Sequence, residues 1–188
     1  MRRTYSLSND PADGRYRITV KREPRGLVSR LLHDHVSIGH GIAASRPAGD
    51  FVLAPGDRPA VLVSAGVGIT PMVAMLHTLA APIRTSPVWF FHGARDGAHH
   101  PLRDEIRQLA SARPGIVTHV RYSAPLPTDV DHDATGRLDG AAIAAAVNRE
   151  DADYYLCGPA GFMAAMKRDL RRAGVPAERI YSESFGPR

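Results

Sequence analysis

One cysteine, one tryptophan and two lysines are all that this 188-residue chain holds of those three residues, and aromatic side chains make up only 6% of it. The lone Cys157 excludes an internal disulfide. It also falls short of the roughly four thiolates that an iron–sulfur cluster or an all-cysteine zinc site requires. Redox chemistry in this chain therefore rests on an organic cofactor. A charged-then-apolar leader is missing too, because Met1-Arg2-Arg3 runs straight into the polar stretch from Thr4 to Asp13, so a cytoplasmic location is expected. Pro59 to Ile83 contains no Asp, Glu, Lys or Arg and is long enough for a membrane span, yet Gly66, Gly68 and Pro71 break it in the middle. It reads as a buried strand, a turn and a helix, and no membrane partner is expected.

What is present describes a globular chain: 44% hydrophobic residues, 23% charged residues and a formal net charge of +5. The basic residues are nearly all arginine, with Lys21 and Lys167 the exceptions, and they are scattered among acids rather than gathered in a stripe. Nucleic acid is therefore not an expected partner. His33, His35 and His40, and likewise His99 and His100, lack a second ligand pair at zinc spacing. Asp131, Asp133 and Asp139 lack calcium-loop spacing, so no metal is expected.

Two regions differ in period. In residues 1–55 the alternation is that of short strands, at Thr4–Ser8, Tyr16–Lys21, Ile42–Ser45 and Phe51–Leu53, with a short helix opening at Gly26. Residues 56–188 alternate strands with helices, the mark of a parallel sheet with crossover helices. Five strands are expected there, at Ala60–Ala65, Val88–His92, Ile116–Tyr122, Asp153–Cys157 and Arg179–Ser182, with helices at Thr70–Ala80, Leu102–Ala112, Gly140–Val147 and Phe162–Ala173. Ala124 to Thr135 reads as a Pro- and Asp-rich surface loop.

The strongest local signal is Gly66-Val67-Gly68-Ile69-Thr70-Pro71, where a strand ends in two glycines and enters a helix. Glycines let backbone approach a pyrophosphate, and the free N–H groups of the helix end hold its charge. A tight turn with no ligand is the alternative, because the third glycine of the ordinary dinucleotide fingerprint is missing. Cys157-Gly158-Pro159 occupies the matching place on a later strand, and its thiol has three readings: a reactive group, a polarizable contact to a cofactor ring, or a buried filler. Gly26-Leu27-Val28-Ser29 opens a helix that either offers N–H groups to a second phosphate or is a plain turn.

Arg3-Thr4-Tyr5-Ser6-Leu7-Ser8, Gly26 to Ser29, Pro47-Ala48-Gly49-Asp50-Phe51, Gly66 to Pro71, Cys157-Gly158-Pro159 and Glu183-Ser184-Phe185-Gly186-Pro187 follow one another in the order of the ferredoxin–NADP reductase superfamily, which the chain resembles from Arg3 to Pro187. The likeness is greatest to the reductase module of flavohaemoglobins. The resemblance implies a flavin domain, residues 1–55, followed by an NAD(P)-binding α/β domain, residues 56–188. It implies that Arg3 pairs with the flavin phosphate, Tyr5 stacks on the isoalloxazine and Ser6 lies near N5. Gly26 to Ser29 would hold the FAD pyrophosphate, and Gly66, Val67, Gly68, Ile69, Thr70 and Pro71 that of NAD(P)H. Cys157, Gly158 and Pro159 with Glu183 would border the nicotinamide, and Phe185 would shield the flavin.

The activity so implied is that of an FAD-dependent NAD(P)H oxidoreductase module that passes electrons to a separate haem or iron–sulfur acceptor. The alternatives are a reductase of free flavin and a non-catalytic nucleotide-binding remnant. Arg95 is placed to take a 2′-phosphate and Asp96 to take ribose hydroxyls, and the flavohaemoglobin likeness favours NADH with NADPH accepted. The family's flavin domain is a closed antiparallel barrel whose first strands precede the Arg-x-Tyr-Ser motif. A partial barrel is therefore expected here, the chain being a fragment, one with a misplaced start, or half of a split enzyme whose partner chain completes the barrel.

Overall fold

Strands that carry apolar side chains on both faces can only sit in the middle of a layered domain. Val61, Leu62 and Val63 are such residues, and all three are fully buried. The structure is a computed structural model that describes residues 2–185. Its strands are β1 (Ala60–Ala65), β2 (Val88–Ala94), β3 (Ile116–Tyr122), β4 (Ala134–Thr135), β5 (Asp153–Pro159) and β6 (Ile180–Phe185). They form one parallel sheet in the order β4-β3-β2-β1-β5-β6. The helices are α1 (Leu27–Asp34), α2 (Ile69–Leu79), α3 (Arg103–Ala112), α4 (Gly140–Val147) and α5 (Ala160–Arg172). Among the described residues no helix is long and apolar enough to cross a membrane.

Alternation along the strands divides the core into two layers. Leu62, Phe90 and Tyr155 face α2 and α3, packing on Ile69, Met72, Leu76 and Ile106. Val61, Val63, Phe91 and Leu156 face α4 and α5, packing on Ile143, Met163, Met166 and Leu170. Asp139 starts α4 by accepting hydrogen bonds from the Ala141 and Ala142 amides at 2.8 and 3.0 Å, and Asn148 ends it in the left-handed conformation.

The sheet has six strands where the sequence led to five. The extra one, β4, lies inside the expected surface loop. Asp133 recruits it: its carboxylate accepts from the Val120 amide at 2.7 Å while its own amide donates to the Val120 carbonyl, so the chain leaves Asp133 already paired with the edge of β3. Two residues among prolines and aspartates carry no period by which to find such a strand.

The first region departs further. None of its four expected strands forms among the described residues, and a single antiparallel bridge, Leu7 to Ile18, remains, supported by the Ser8 amide donating to the Arg17 carbonyl. A strand's edges need neighbours, and beyond that one bridge these segments pair with none among the described residues. Tyr16, Ile18, Leu27, Leu31, Ile38, Ile42 and Val52 are correspondingly exposed. The region is tied to the sheet elsewhere, by the Ala54 amide donating to the Tyr155 hydroxyl at 2.9 Å and by Arg17 on Glu105 at 2.8 Å.

Two histidines lie deep at the carboxyl end of the sheet. His92 of β2 is fully buried and bonded through Nδ1 to Ser64 Oγ at 2.9 Å, while His100 Nδ1 meets the Tyr122 hydroxyl at 3.0 Å. Burial, reinforced by Arg103 and Arg107, brings His100 down from its ordinary 6.5 to about 4, and burial with His100 nearby holds His92 well below 6.5. Both are neutral in the fold, whereas the unfolded chain takes up protons on them below about pH 6.5. Stability is therefore complete above pH 6.5 and declines as the pH falls from there toward 4. Urea unfolding at pH 7 and pH 4.5 is expected to reveal this loss, and His100→Gln to make it smaller; an undiminished loss in the variant counts against the assignment. In the same assay Leu62→Ala is expected to cost about 3 kcal/mol through the cavity it leaves, and Ile38→Ser no more than about 0.5 kcal/mol.

Candidate functional site

From β1 the chain winds outward through β2 and β3, then returns to the far side of β1 for β5 and β6. The direction of winding reverses between β1 and β5, so the connections that leave their carboxyl ends diverge and open a crevice. Both glycine turns stand there. Gly66 has φ +54° with nothing near the position a Cβ would take, a conformation that favours glycine and leaves the backbone approachable from outside. Gly66–Gly68 forms a 3₁₀ turn, and α2 follows with Thr70 and Pro71 in its first turn. No side chain caps α2 or α5, whose preceding residue is Pro159.

Gly68 explains the missing third glycine. A Cβ on it would collide with the Cys157 carbonyl and stand 2.8 Å from the Gly158 amide nitrogen, so only glycine lets the turn rest on β5. Close packing of helix on strand is what the third glycine of the ordinary fingerprint provides. Here the second glycine provides it, against a neighbouring strand that sequence spacing does not reveal. Gly158 is likewise confined, facing the Phe162 ring and Ala65.

Ser64, Cys157 and Glu183 are in register across β1, β5 and β6 and so point to one face of the sheet. Cys157 is fully buried, and burial followed by the nearby Glu183 carboxylate pushes its thiol up. A neutral, enclosed thiol is no nucleophile at neutral pH, which leaves the contact and filler readings. Glu183 accepts a hydrogen bond from Ser6 Oγ at 3.2 Å, across 177 positions of sequence. Ser6, Cys157 and Glu183 are thus brought together. Phe185, in register with Pro159, packs against the core layer that contains Cys157. Gly186 and Pro187 lie outside the described residues.

The remaining expected residues are more dispersed. Tyr5 is half-buried beside Ser6, and Arg3 is exposed, its guanidinium donating to the Arg2 carbonyl. Gly26 precedes α1, again without a side-chain cap, and Leu27 is exposed and Val28 half-buried. Ser29 is turned back on its own helix end, accepting from the Glu23 amide and donating to the Gly26 carbonyl. Arg95, at the tip of β2, is exposed. Tyr155 and Tyr181, which the sequence did not single out, complete the frame with Phe51 of the third motif: Tyr155 holds Ala54, Phe51 meets its ring edge-on at 6.4 Å, and Tyr181 stacks on it at 5.0 Å. The apolar run of β5 conceals that role, since a buried tyrosine in such a run reads as plain core. Among the described residues no three His, Cys, Asp or Glu side chains group closely enough to hold a metal ion.

Comparison with known proteins agrees with this geometry. The oxidoreductase NAD-binding domain family matches residues 62–168, more than half of the chain. A flavohemoprotein of Deinococcus radiodurans is 46% identical over 188 residues, covering 98% of this chain and 47% of its own length. The flavohem-like FAD/NAD binding domain of nitric oxide dioxygenase from Vibrio cholerae superimposes with a TM-score of 0.87 at 40% identity, over 98% of this chain and 77% of that one. A cytochrome P450 reductase of Amycolatopsis superimposes with a TM-score of 0.85 at 26% identity, over 97% of this chain and 56% of that one. The chain spans about half the length of the curated relatives it matches. With its sheet order, its two glycine turns and these matches taken together, the chain belongs to the oxidoreductase NAD-binding domain family, on the ferredoxin–NADP reductase-like branch that includes the reductase module of flavohaemoglobins.

Proposed function

We propose that this chain is an FAD-dependent NAD(P)H oxidoreductase module that passes electrons to a separate acceptor, a haem or iron–sulfur protein or domain. The observation that carries the proposal is the hydrogen bond from Ser6 to Glu183 beside Cys157, which joins the two ends of the sequence on the strand next to the switch point of the sheet. The residues fit both cofactors: Gly66 leaves open space at a positive φ before the turn that opens α2, and Ser6 arrives from the other region on Glu183. We assign residues 1–55 to a partial flavin barrel and residues 56–188 to the NAD(P) domain. The exposed apolar residues of the first region suit completion of that barrel by a further chain or segment. The acceptor is of the kind the relatives imply, one being a flavohemoprotein and another a cytochrome P450 reductase.

When bound, the two cofactors supply hydride exchange between nicotinamide C4 and flavin N5. The chain supplies position and charge. The Gly66–Gly68 turn that opens α2, with Ile69 to Pro71 behind it, would receive the dinucleotide pyrophosphate, and Gly26 to Ser29 would do the same for FAD at α1. Arg3 offers its guanidinium to the flavin phosphate, and Tyr5 a ring face to the isoalloxazine. Cys157, uncharged and enclosed, would back the nicotinamide site with a soft group that carries no charge into it. Ser6 holds Glu183 in place by donating to its Oε2, and Phe185 covers the ring position from the end of β6. Such positioning is what lowers the barrier when the reacting atoms must meet face to face.

The open first region, with Leu27 exposed next to Gly26, favours as a second reading a flavin that binds weakly and leaves, that is, a free-flavin reductase. Anaerobic titration of the chain in excess FAD with NADH and with NADPH tests the proposal. Saturable loss of flavin absorbance is expected, while dinucleotide binding with no bound flavin and no bleaching would sink it in favour of a non-catalytic nucleotide-binding chain. Cys157→Ala is expected to slow flavin reduction about tenfold with less than about a twofold change in dinucleotide affinity. An equal rate in the variant would make Cys157 a filler.

A further inference from the structure

Open α/β sheets that bind dinucleotides read the adenosine ribose at the tip of the second strand, where an outward carboxylate takes the 2′-hydroxyl and a cation takes a 2′-phosphate. This chain has both groups at that tip, Arg95 and Asp96, but it does not present them equally. The Arg95 side chain is 71% exposed, whereas that of Asp96 is 7% exposed. The carboxylate is turned inward and occupied. Its Oδ1 accepts from the His99 amide at 3.1 Å and meets His99 Nδ1 at 2.6 Å, and its Oδ2 lies 3.7 Å from Arg95 Nε. Asp96 thereby starts the 3₁₀ turn Gly97–His99, and His99 stands on the outside with its side chain 55% exposed.

The turn is held from behind as well. The Gly97 amide donates to Asp129 Oδ2 at 3.1 Å, and the same oxygen accepts from the Leu126 amide at 2.8 Å. The Ala124 amide donates to the Arg95 carbonyl at 2.8 Å, continuing the pairing of β2 with the chain that leaves β3. Swinging Asp96 outward would therefore break its bonds to His99 and dismantle a turn anchored on Asp129. With the acid retained inside, the outer face of the tip carries a guanidinium and an imidazole and no free carboxylate from β2.

We propose that this tip selects the 2′-phosphorylated dinucleotide: Arg95 receives the 2′-phosphate, and His99 is the positioning residue that keeps the Asp96 carboxylate away from the ribose. The proposal rests on the dinucleotide-binding reading of the Gly66–Pro71 crevice and makes NADPH the preferred donor, contrary to the preference for NADH that the flavohaemoglobin likeness suggests.

Calorimetric titration of the 188-residue chain with oxidised NADP and with oxidised NAD tests it without flavin or turnover. NADP is expected to bind about tenfold more tightly than NAD, the usual size of a hydrogen bond to a charged group. Arg95→Ala is expected to abolish that ratio by weakening NADP alone. His99→Ala is expected to move the two affinities in opposite directions, NADP down and NAD up, because the freed carboxylate repels the phosphate and accepts from the hydroxyl. His99→Gln, which retains a side-chain N–H for Asp96, is expected to restore the preference for NADP. A mere loosening of the turn would weaken both ligands together, so parallel losses in His99→Ala overturn the positioning role. Equal or tighter binding of NAD by the unaltered chain overturns the selection while leaving the crevice reading intact, and failure of both nucleotides to bind overturns the two together.

Discussion

The backbone of β5 passes so near the turn after β1 that the Cys157–Gly158 peptide occupies the place where a side chain on residue 68 would stand. That contact holds the two carboxyl ends of β1 and β5 together while the connections beyond them run apart. It fixes where the Gly66–Gly68 turn lies, and hence where α2 starts. It also sets Cys157 in register between Ser64 and Glu183, and so sets the place at which Ser6 arrives. A methyl group at residue 68 would have to displace main chain on both strands, and interiors packed at crystalline density transmit such a displacement rather than absorb it.

Around this contact the polar groups are arranged in a consistent way. Across the sheet run Glu183, which meets Ser6 at the outer edge, and then the neutral Cys157, Ser64 and His92, while Arg95, Asp96 and His99 meet beyond the end of β2. Burial accounts for the middle, since an ionised group there would lack both water and a partner. At the margins each carboxylate has a donor of its own.

The parallel sheet was legible from sequence because its central strands are apolar on both faces and its helices show a clear period. Four of the expected strands begin where the structure begins them, and β6 starts one residue later, at Ile180. What escaped notice follows from contacts between segments far apart. β4 exists because Asp133 engages Val120, a pairing that two residues of Pro- and Asp-rich sequence cannot signal. The first region alternates as strands do, yet alternation states only which face is apolar and not whether a neighbour is there to pair with. In the site, Gly66 to Pro71 announced itself, whereas the role of Gly68 depends on a strand some ninety residues downstream, roughly the length of the intervening crossovers. The tip of β2 offered Arg95 and Asp96 as equals, and only the position of His99 separates them.

The solitary thiol also gives the molecule a built-in clock. Cys157 is fully enclosed at the innermost point of the crevice wall, so an alkylating or disulfide reagent meets it only when β5 and the turn above it part. Because there is no second cysteine to compete, every labelled molecule records one such opening. The rate of modification then measures the free energy of that local separation, which lies between that of the fraying surface and that of complete unfolding. Any ligand that bridges β1 and β5 must slow the clock in proportion to how firmly it holds them closed.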